Sequence, residues 1–468
     1  MIRTPIAGLM LILSSTAAAT LTADYTVTLD PSLRQIEVGA CFDPAIPSNL
    51  HAHEQLQQQL SGRFYVDGQR QRPRFSRDRL RIAGGARCLR YSVTLDQGTG
   101  DRRWGGTYAV GGDIVTKPEH WLLQPRQPVD DGDLRLRFDL PADINVSAPW
   151  PQSTNTNGEV EYRIGRTPST WDAQVAFGRF EVERLTVGDG VLRLAILNSE
   201  PPVDIEDTRR WVREAAAATL AVHGHFPQPE PQTLVVPVGR QREAVPFARV
   251  LRGGGVAVQF YIDPTRPLRE FSSDWTATHE FSHLLLPYVS RRDAWLSEGL
   301  ASYMQNVLRA RDGRLSEQQA WSKLNAGFDR GKRGTRRSNS GGNESNRGSW
   351  RNNTMRIYWG GAAIWFLADV ELRRRSNGQL SVDTALAGIH NCCMNPGRMW
   401  SARDLMAELD RITGEDVFMD LYYRHHDLQH FPDVDSSLSR LGIKTRSNSI
   451  RMNDSMPESK LRQQIMQP

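Results

Sequence analysis

From Asp24 to about Ser199 apolar and polar positions alternate with period two in short runs: "DYTVTLD", "GRFYVDG", "LRYSVTLD", "LRLRFDLP" and "GRFEVERLTVGDGVLRLAIL", punctuated by Gly, Asp and Pro. Successive strand side chains point to opposite faces, so the alternation predicts half-buried strands of an antiparallel β-sandwich-like domain over 24–199. "APWPQSTNTNGEVEY" reads as an exposed loop inside it. After Pro201 the period changes. "DIEDTRRWVREAAAATLAVHGHF" opens on acids, continues on alanines and closes near Gly224, which predicts a helix of about five turns. Two strands, "QTLVVPV" and "GVAVQFYID", then precede helices over 274–289, 294–311, 357–375, 401–412 and 415–426. Strands followed by helices predict an α+β domain over 200–443. The stretch 330–351, rich in Arg and Lys against the single Glu344, predicts a mobile loop, and 444–468 a polar, frayed tail. There is no internal repeat.

Composition narrows the function classes. With 39% hydrophobic and 24% charged residues, a multi-span membrane protein is excluded. A net charge of +5 without a clustered basic face or aromatic recognition module argues against nucleic-acid binding. The first residues carry Arg3, an apolar run from Ile6 to Leu13 and the small residues Ala17, Ala18 and Ala19. That is the order of a signal peptide (1–19), too short to span a bilayer, so the expectation is export to periplasm or medium with no membrane anchor after cleavage. An oxidising compartment permits disulfides. Of the three pairings open to four cysteines, Cys41 with Cys88 is the natural one, since both lie in the β-rich region; the adjacent Cys392 and Cys393 could bond to each other or stay reduced.

The chemistry concentrates in "THEFSHLLLPYVSRRDAWLSEGLASY", residues 278–303. On a helix, residues four apart share a face, so His279 and His283 can bind one ion. Glu280 is rotated away from ligation but can reach a water held by that ion, as a general base must. A catalytic zinc takes three protein ligands, and Glu298 on the following helix supplies the third. Leu286, Pro287 and "SRRD" end the first helix and let the second fold back.

H-E-x-x-H followed by "WLSEGLASY" resembles the gluzincin metallopeptidases, especially the aminopeptidase-N-like and glycyl-aminopeptidase-like families. The resemblance is strongest over 274–311. It implies a β-rich N-terminal domain before a thermolysin-like, mainly helical catalytic domain, one Zn²⁺ per chain on His279, His283 and Glu298, and Glu280 as base and proton shuttle. "RIYWGGAAIWFLADVELRRR" is similar to the family segment with a tyrosine before a Gly-containing helix, which implies Tyr358 as the donor to the tetrahedral oxyanion. The substrate implied is a peptide or protein. The strand that carries an amine-gripping glutamate in aminopeptidases corresponds to "RGGGVAVQFYID", whose one acid is Asp263, so exo- and endopeptidase activity both stay open. Gly253, Gly254 and Gly255 would let substrate backbone approach this strand. His425, His426 and His430 form a second histidine cluster. A zinc-stabilised peptide-binding protein is the alternative function, and the intact Glu280 argues against it.

Overall fold

The computed structural model describes residues 21–60, 63–95, 106–125, 133–164, 173–339, 347–395, 397–446 and 449–467. The proposed signal peptide lies outside them. In the N-terminal part, β1 (Thr22–Leu29) buries Ala23, Tyr25, Val27 and Leu29, and β2 (Gln35–Asp43) buries Ile36, Val38, Ala40 and Phe42, as period-two alternation requires. They belong to an eight-stranded sheet. Strand β3 (Cys88–Thr94) pairs antiparallel with β2, in a register that sets Cys41 opposite Cys88 with Cα atoms 4.1 Å apart. Strand β4 (Asp133–Asp139) runs parallel to β1, a departure from the all-antiparallel expectation. Two four-stranded sheets complete this part. Its core centres on Trp121, which meets Trp150 and Phe177 edge-on at 6.4 and 6.3 Å.

The hairpin β5 (Val182–Val187) and β6 (Gly190–Ile196) follows the same strand-and-turn grammar, but β6 is buried continuously from Leu192 to Ile196 and pairs parallel with β7 (Gln232–Pro237). It therefore belongs to the sheet of the second domain, and the boundary falls near residue 180, not at 199/200. Between β6 and β7 runs α1 (Ile205–Ala217), capped by Asp204, which accepts from Asp207 N. The predicted five-turn helix stops there, and a separate short turn, Leu220–His223, ends at Gly224 with φ 79°. Strand β8 (Phe247–Leu251) is the sheet edge, antiparallel to β9 (Ala257–Ile262), which pairs parallel with β7.

Helix α2 (Thr276–His283) packs on this sheet through Phe281 against Phe260, with Trp211 of α1 in the same core. It is shorter than the expected 274–289. Asp274 accepts from Thr276 N at its start, and Pro287 forbids continuation beyond Leu286. Next come α3 (Ala294–Arg311), α4 (Glu317–Asn339) and α5 (Arg347–Arg375), followed by α6 (Val382–Cys392), α7 (Ala402–Thr413) and α8 (Val417–His425).

The expectation of a loop over 330–351 is corrected: 330–339 and 347–351 are helical, and 340–346 lie outside the described residues. Two glycines of α4 form a packing surface. A Cβ on Gly327 would strike the Trp359 ring, and one on Gly331 would fall 2.7 Å from Trp359 Cβ, so their absence lets α4 lie against α5. The tail expectation is corrected too. A hairpin of β10 (Ile443–Arg446) and β11 (Ser449–Met452) leads to α9 (Ser459–Met466), whose Arg462 is 1% exposed and ion-paired with Glu317 at 2.6 Å. No described helix is long and apolar enough to cross a membrane.

Candidate metal centre

All eight residues of α2 are buried, because one face meets the sheet and the other meets α3. From this helix His279 and His283 project together, ring centroids 4.9 Å apart and nearly perpendicular. Glu298, one turn inside α3, meets both: its Oε2 lies 3.2 Å from His279 Nε2 and 3.4 Å from His283 Nε2. The ligating atoms of the three residues all lie within 4.8 Å of one another.

The far sides of the rings are fixed. His279 Nδ1 is 2.8 Å from Gln305 Oε1, which can only accept, so that nitrogen carries the proton and Nε2 faces Glu298. His283 Nδ1 is 2.9 Å from Ser297 Oγ. Two imidazoles held by their second nitrogens beside a carboxylate are the donor set and orientation of a zinc site, so these residues fit the ion.

Burial is the largest influence on Glu298 and would raise it, yet His283 and His279 hold its carboxyl far below the usual range. For His279 burial works downward and is outweighed by the Glu298 hydrogen bond, the charges of Glu280 and Glu298, and Gln305. Glu280 is raised by burial, against the opposing charges of both histidines. Tyr358 on α5 stacks parallel on His279 with centroids 5.8 Å apart, and its hydroxyl is hydrogen-bonded to Glu298; burial and the two carboxylates raise it.

A cleft of about 300 Å³ opens over this group, with Glu280, His283, Glu298 and Tyr358 in its wall and the whole of β8 along one side. The arrangement can place a base, a hydroxyl donor and an ion around one carbonyl.

Other expected residues lie elsewhere. Gly253, Gly254 and Gly255 form the turn between β8 and β9 and do not line the cleft. A Cβ on Gly255 would fall 2.8 Å from the carbonyl carbon of Pro149, so this glycine serves contact with the N-terminal domain. Asp263 is fully buried in a turn, accepting from Gln241 N and Thr265 N. His425, His426 and His430 are not among the cleft residues; His426 stacks on Tyr422 at 4.7 Å.

Gln305, Ser297 and Arg252 were not anticipated. Gln305 had a readable signal, because it follows Glu298 by seven residues and therefore shares its helix face. Arg252 had none. Its guanidinium donates to the carbonyls of His283 and Leu286, where α2 ends, and burial pushes it down to about 9.

No protein-family model and no curated protein matches the sequence. The structure does match solved ones. An aminopeptidase N family protein from Idiomarina loihiensis aligns over 91% of this chain and 82% of its own, with TM-score 0.65 and 14% identity. A variant of an M1 zinc metallopeptidase from Deinococcus radiodurans, bound to a Tyr-Ser-Ala substrate, aligns over 88% of this chain and 94% of its own, with TM-score 0.50 and 16% identity. A variant of a two-domain M1 zinc metallopeptidase bound to L-arginine aligns over the same shares, with TM-score 0.50 and 15% identity. The fold is thus the aminopeptidase-N type, with a sheet-rich domain ahead of a mixed sheet and helices.

Proposed function

We propose that the protein is an exported zinc peptidase that hydrolyses peptide bonds in peptide or protein substrates, with one Zn²⁺ per chain. The observation that carries this reading is the convergence of His279, His283 and Glu298 from two helices, with Glu280 and Tyr358 on the same cleft. Bound zinc would polarise the scissile carbonyl and acidify the attacking water. Glu280 then accepts a proton from that water and returns it to the leaving nitrogen. Tyr358 directs its hydroxyl at the oxygen that gains charge. Export rests on the N-terminal pattern of Arg3 and the apolar run after it, and a Cys41–Cys88 bond accords with it.

The test is Glu280→Gln in zinc-loaded protein. The amide keeps the shape but cannot take the proton, so turnover of a mixed peptide library should fall by about 10²- to 10⁴-fold while zinc stays near one per chain. Undiminished turnover would remove Glu280 from the mechanism, and zinc retained in full by His283→Ala would place the ion elsewhere.

A further inference from the structure

Cys392 and Cys393, at the end of α6, are bonded to each other. The bond closes a small ring through the peptide between them and so fixes the direction in which the chain leaves the helix. Cys393 is 8% exposed, in the core that also holds Trp400 and Val289, whereas Cys392 is exposed. The chain then reaches Trp400 within a few residues. Gly397 N donates to Asn395 Oδ1, Arg398 N donates to the Asn395 carbonyl, and the Arg398 guanidinium lies 3.6 Å over the Trp400 ring. Trp400 in turn holds a wall of the cleft. Its N donates to the Tyr288 carbonyl at 2.8 Å, Ser290 N donates to its carbonyl at 2.9 Å, and Ala402 N donates to Asp293 Oδ2 at 3.0 Å. Tyr288, Val289 and Ser290 belong to that wall. Among the described residues, the bridge of Val289 to Trp400 is the one strand-type pairing this stretch makes.

We propose that Cys392–Cys393 is a thiol-exchange site whose state sets the order of the cleft wall at 288–290. A dithiol reductant attacks Cys392 Sγ, the exposed sulfur; the S–S bond breaks, and Cys393 leaves as a thiolate that takes a proton. The second thiol of the reductant then displaces Cys392 from the mixed disulfide. The reductant ends as a disulfide and the protein holds two thiols, having gained two electrons and two protons. Glu408 is placed to receive the product, because its Oε1, held by Arg411, lies 3.9 Å from both sulfurs and can accept from an S–H. The oxidised pair has no S–H to give. Reduction also opens the ring that aims the chain at Trp400, and the bridge to 288–290 is the contact that this new freedom reaches. The order of the wall is independent of the peptidase reading; its consequence for turnover rests on that reading.

The test is hydrogen exchange read by mass spectrometry on zinc-loaded full chain, before and after a water-soluble phosphine, with metal analysis alongside. The phosphine passes the same two electrons to the disulfide, is oxidised to its oxide by water, and lets the thiols take the protons. Exchange in the segments holding Ser290 and Trp400 should rise about tenfold or more on reduction. Cys392→Ser/Cys393→Ser, which keeps Cys41–Cys88, should show the fast exchange from the start and not respond to the phosphine. Should that variant not fold, alkylation mapping of the unmodified protein at graded phosphine decides, since exchange must rise with loss of the Cys392–Cys393 bond and not with loss of Cys41–Cys88. On the peptide library KM should rise about three- to tenfold with kcat within about twofold, because the wall touches substrate and not the reacting bond. Exchange that ignores reduction, exchange that follows Cys41–Cys88, or a KM that does not move while peptides are turned over, overturns the proposal. If no peptide is hydrolysed while the exchange responds as described, the peptidase reading fails and the thiol-exchange site stands.

Discussion

Tyr358 shows how one side chain can serve two ends. Its ring lies flat on His279 and packs against the helical core, while its hydroxyl reaches Glu298. If the hydroxyl only secures Glu298, losing it changes zinc affinity; if it also donates to the developing oxyanion, losing it slows the chemical step. Tyr358→Phe removes the oxygen alone, so kcat should fall about 10²- to 10³-fold with zinc content unchanged. Stopped-flow turnover alongside metal analysis checks this, and a kcat within about threefold of the unmodified protein would leave Tyr358 a packing residue. At this scale the sequence is informative wherever spacing along one helix fixes geometry. His279 and His283 are four apart, and Gln305 follows Glu298 by two turns. Arg252 escapes such reading, because no local period tells that a guanidinium will end on the carbonyls of a helix 31 and 34 residues away.

Between elements, glycine does much of the positioning. Helices α3 and α5 cross where Gly299 meets Gly361: a Cβ on Gly299 would fall 2.6 Å from Gly361 Cα, and one on Gly361 would strike the carbonyl of Trp295. Gly299 directly follows Glu298, and Gly361 lies three residues after Tyr358, so this crossing sets the distance between the Glu298 carboxylate and the Tyr358 hydroxyl. Gly299→Ala forces the helices apart. Overpacking of this kind costs about 1–3 kcal/mol, and activity should drop more than stability does, because Tyr358 and Glu298 move relative to each other. Thermal unfolding and kcat/KM measured together check it; a variant with native kcat/KM would show that the crossing yields without moving the site. The α4 glycines teach the complementary lesson. "RGKRG" has the composition of a loop, yet its Gly331, with Gly327 one turn earlier, is where α4 receives Trp359, and only the partner helix reveals that. Strands β1 and β2, whose alternation is local and whose inner face is buried, were legible throughout.

Across the whole molecule the two domains share a buried polar seam. Gln232 on β7 donates to Ser147 Oγ and to the Gln174 carbonyl, Tyr108 and Tyr261 both donate to Gln174 Oε1, and Arg193 on β6 donates to the Trp150 carbonyl. Separation would leave these groups unpaired, which is costly. Sequence pattern alone puts the boundary near 199, because β5 and β6 read as strands like those before them, and only the pairing of β6 with β7, decided by distant residues, assigns them to the second domain. The seam makes a prediction about acid. His120, 5% exposed in the N-terminal domain, is pushed down to about 4 by burial first and then by the charges of His53 and Lys117. An unfolded chain titrates this group near 6.5, so between these values it is the unfolded state that binds the extra proton. Its contribution is therefore intact above about pH 6.5, is lost as pH falls, and levels off below about 4, with a total of about 3 kcal/mol. Urea titrations at pH 7 and pH 4 should show the unmodified protein losing that much more stability than His120→Asn. Because the seam joins the domains, loss of tryptophan burial in the second domain should move with it. An equal acid dependence in both proteins would mean that His120 is hydrated in the folded state, and a second-domain transition that stays fixed while the N-terminal one shifts would show that the seam does not couple them.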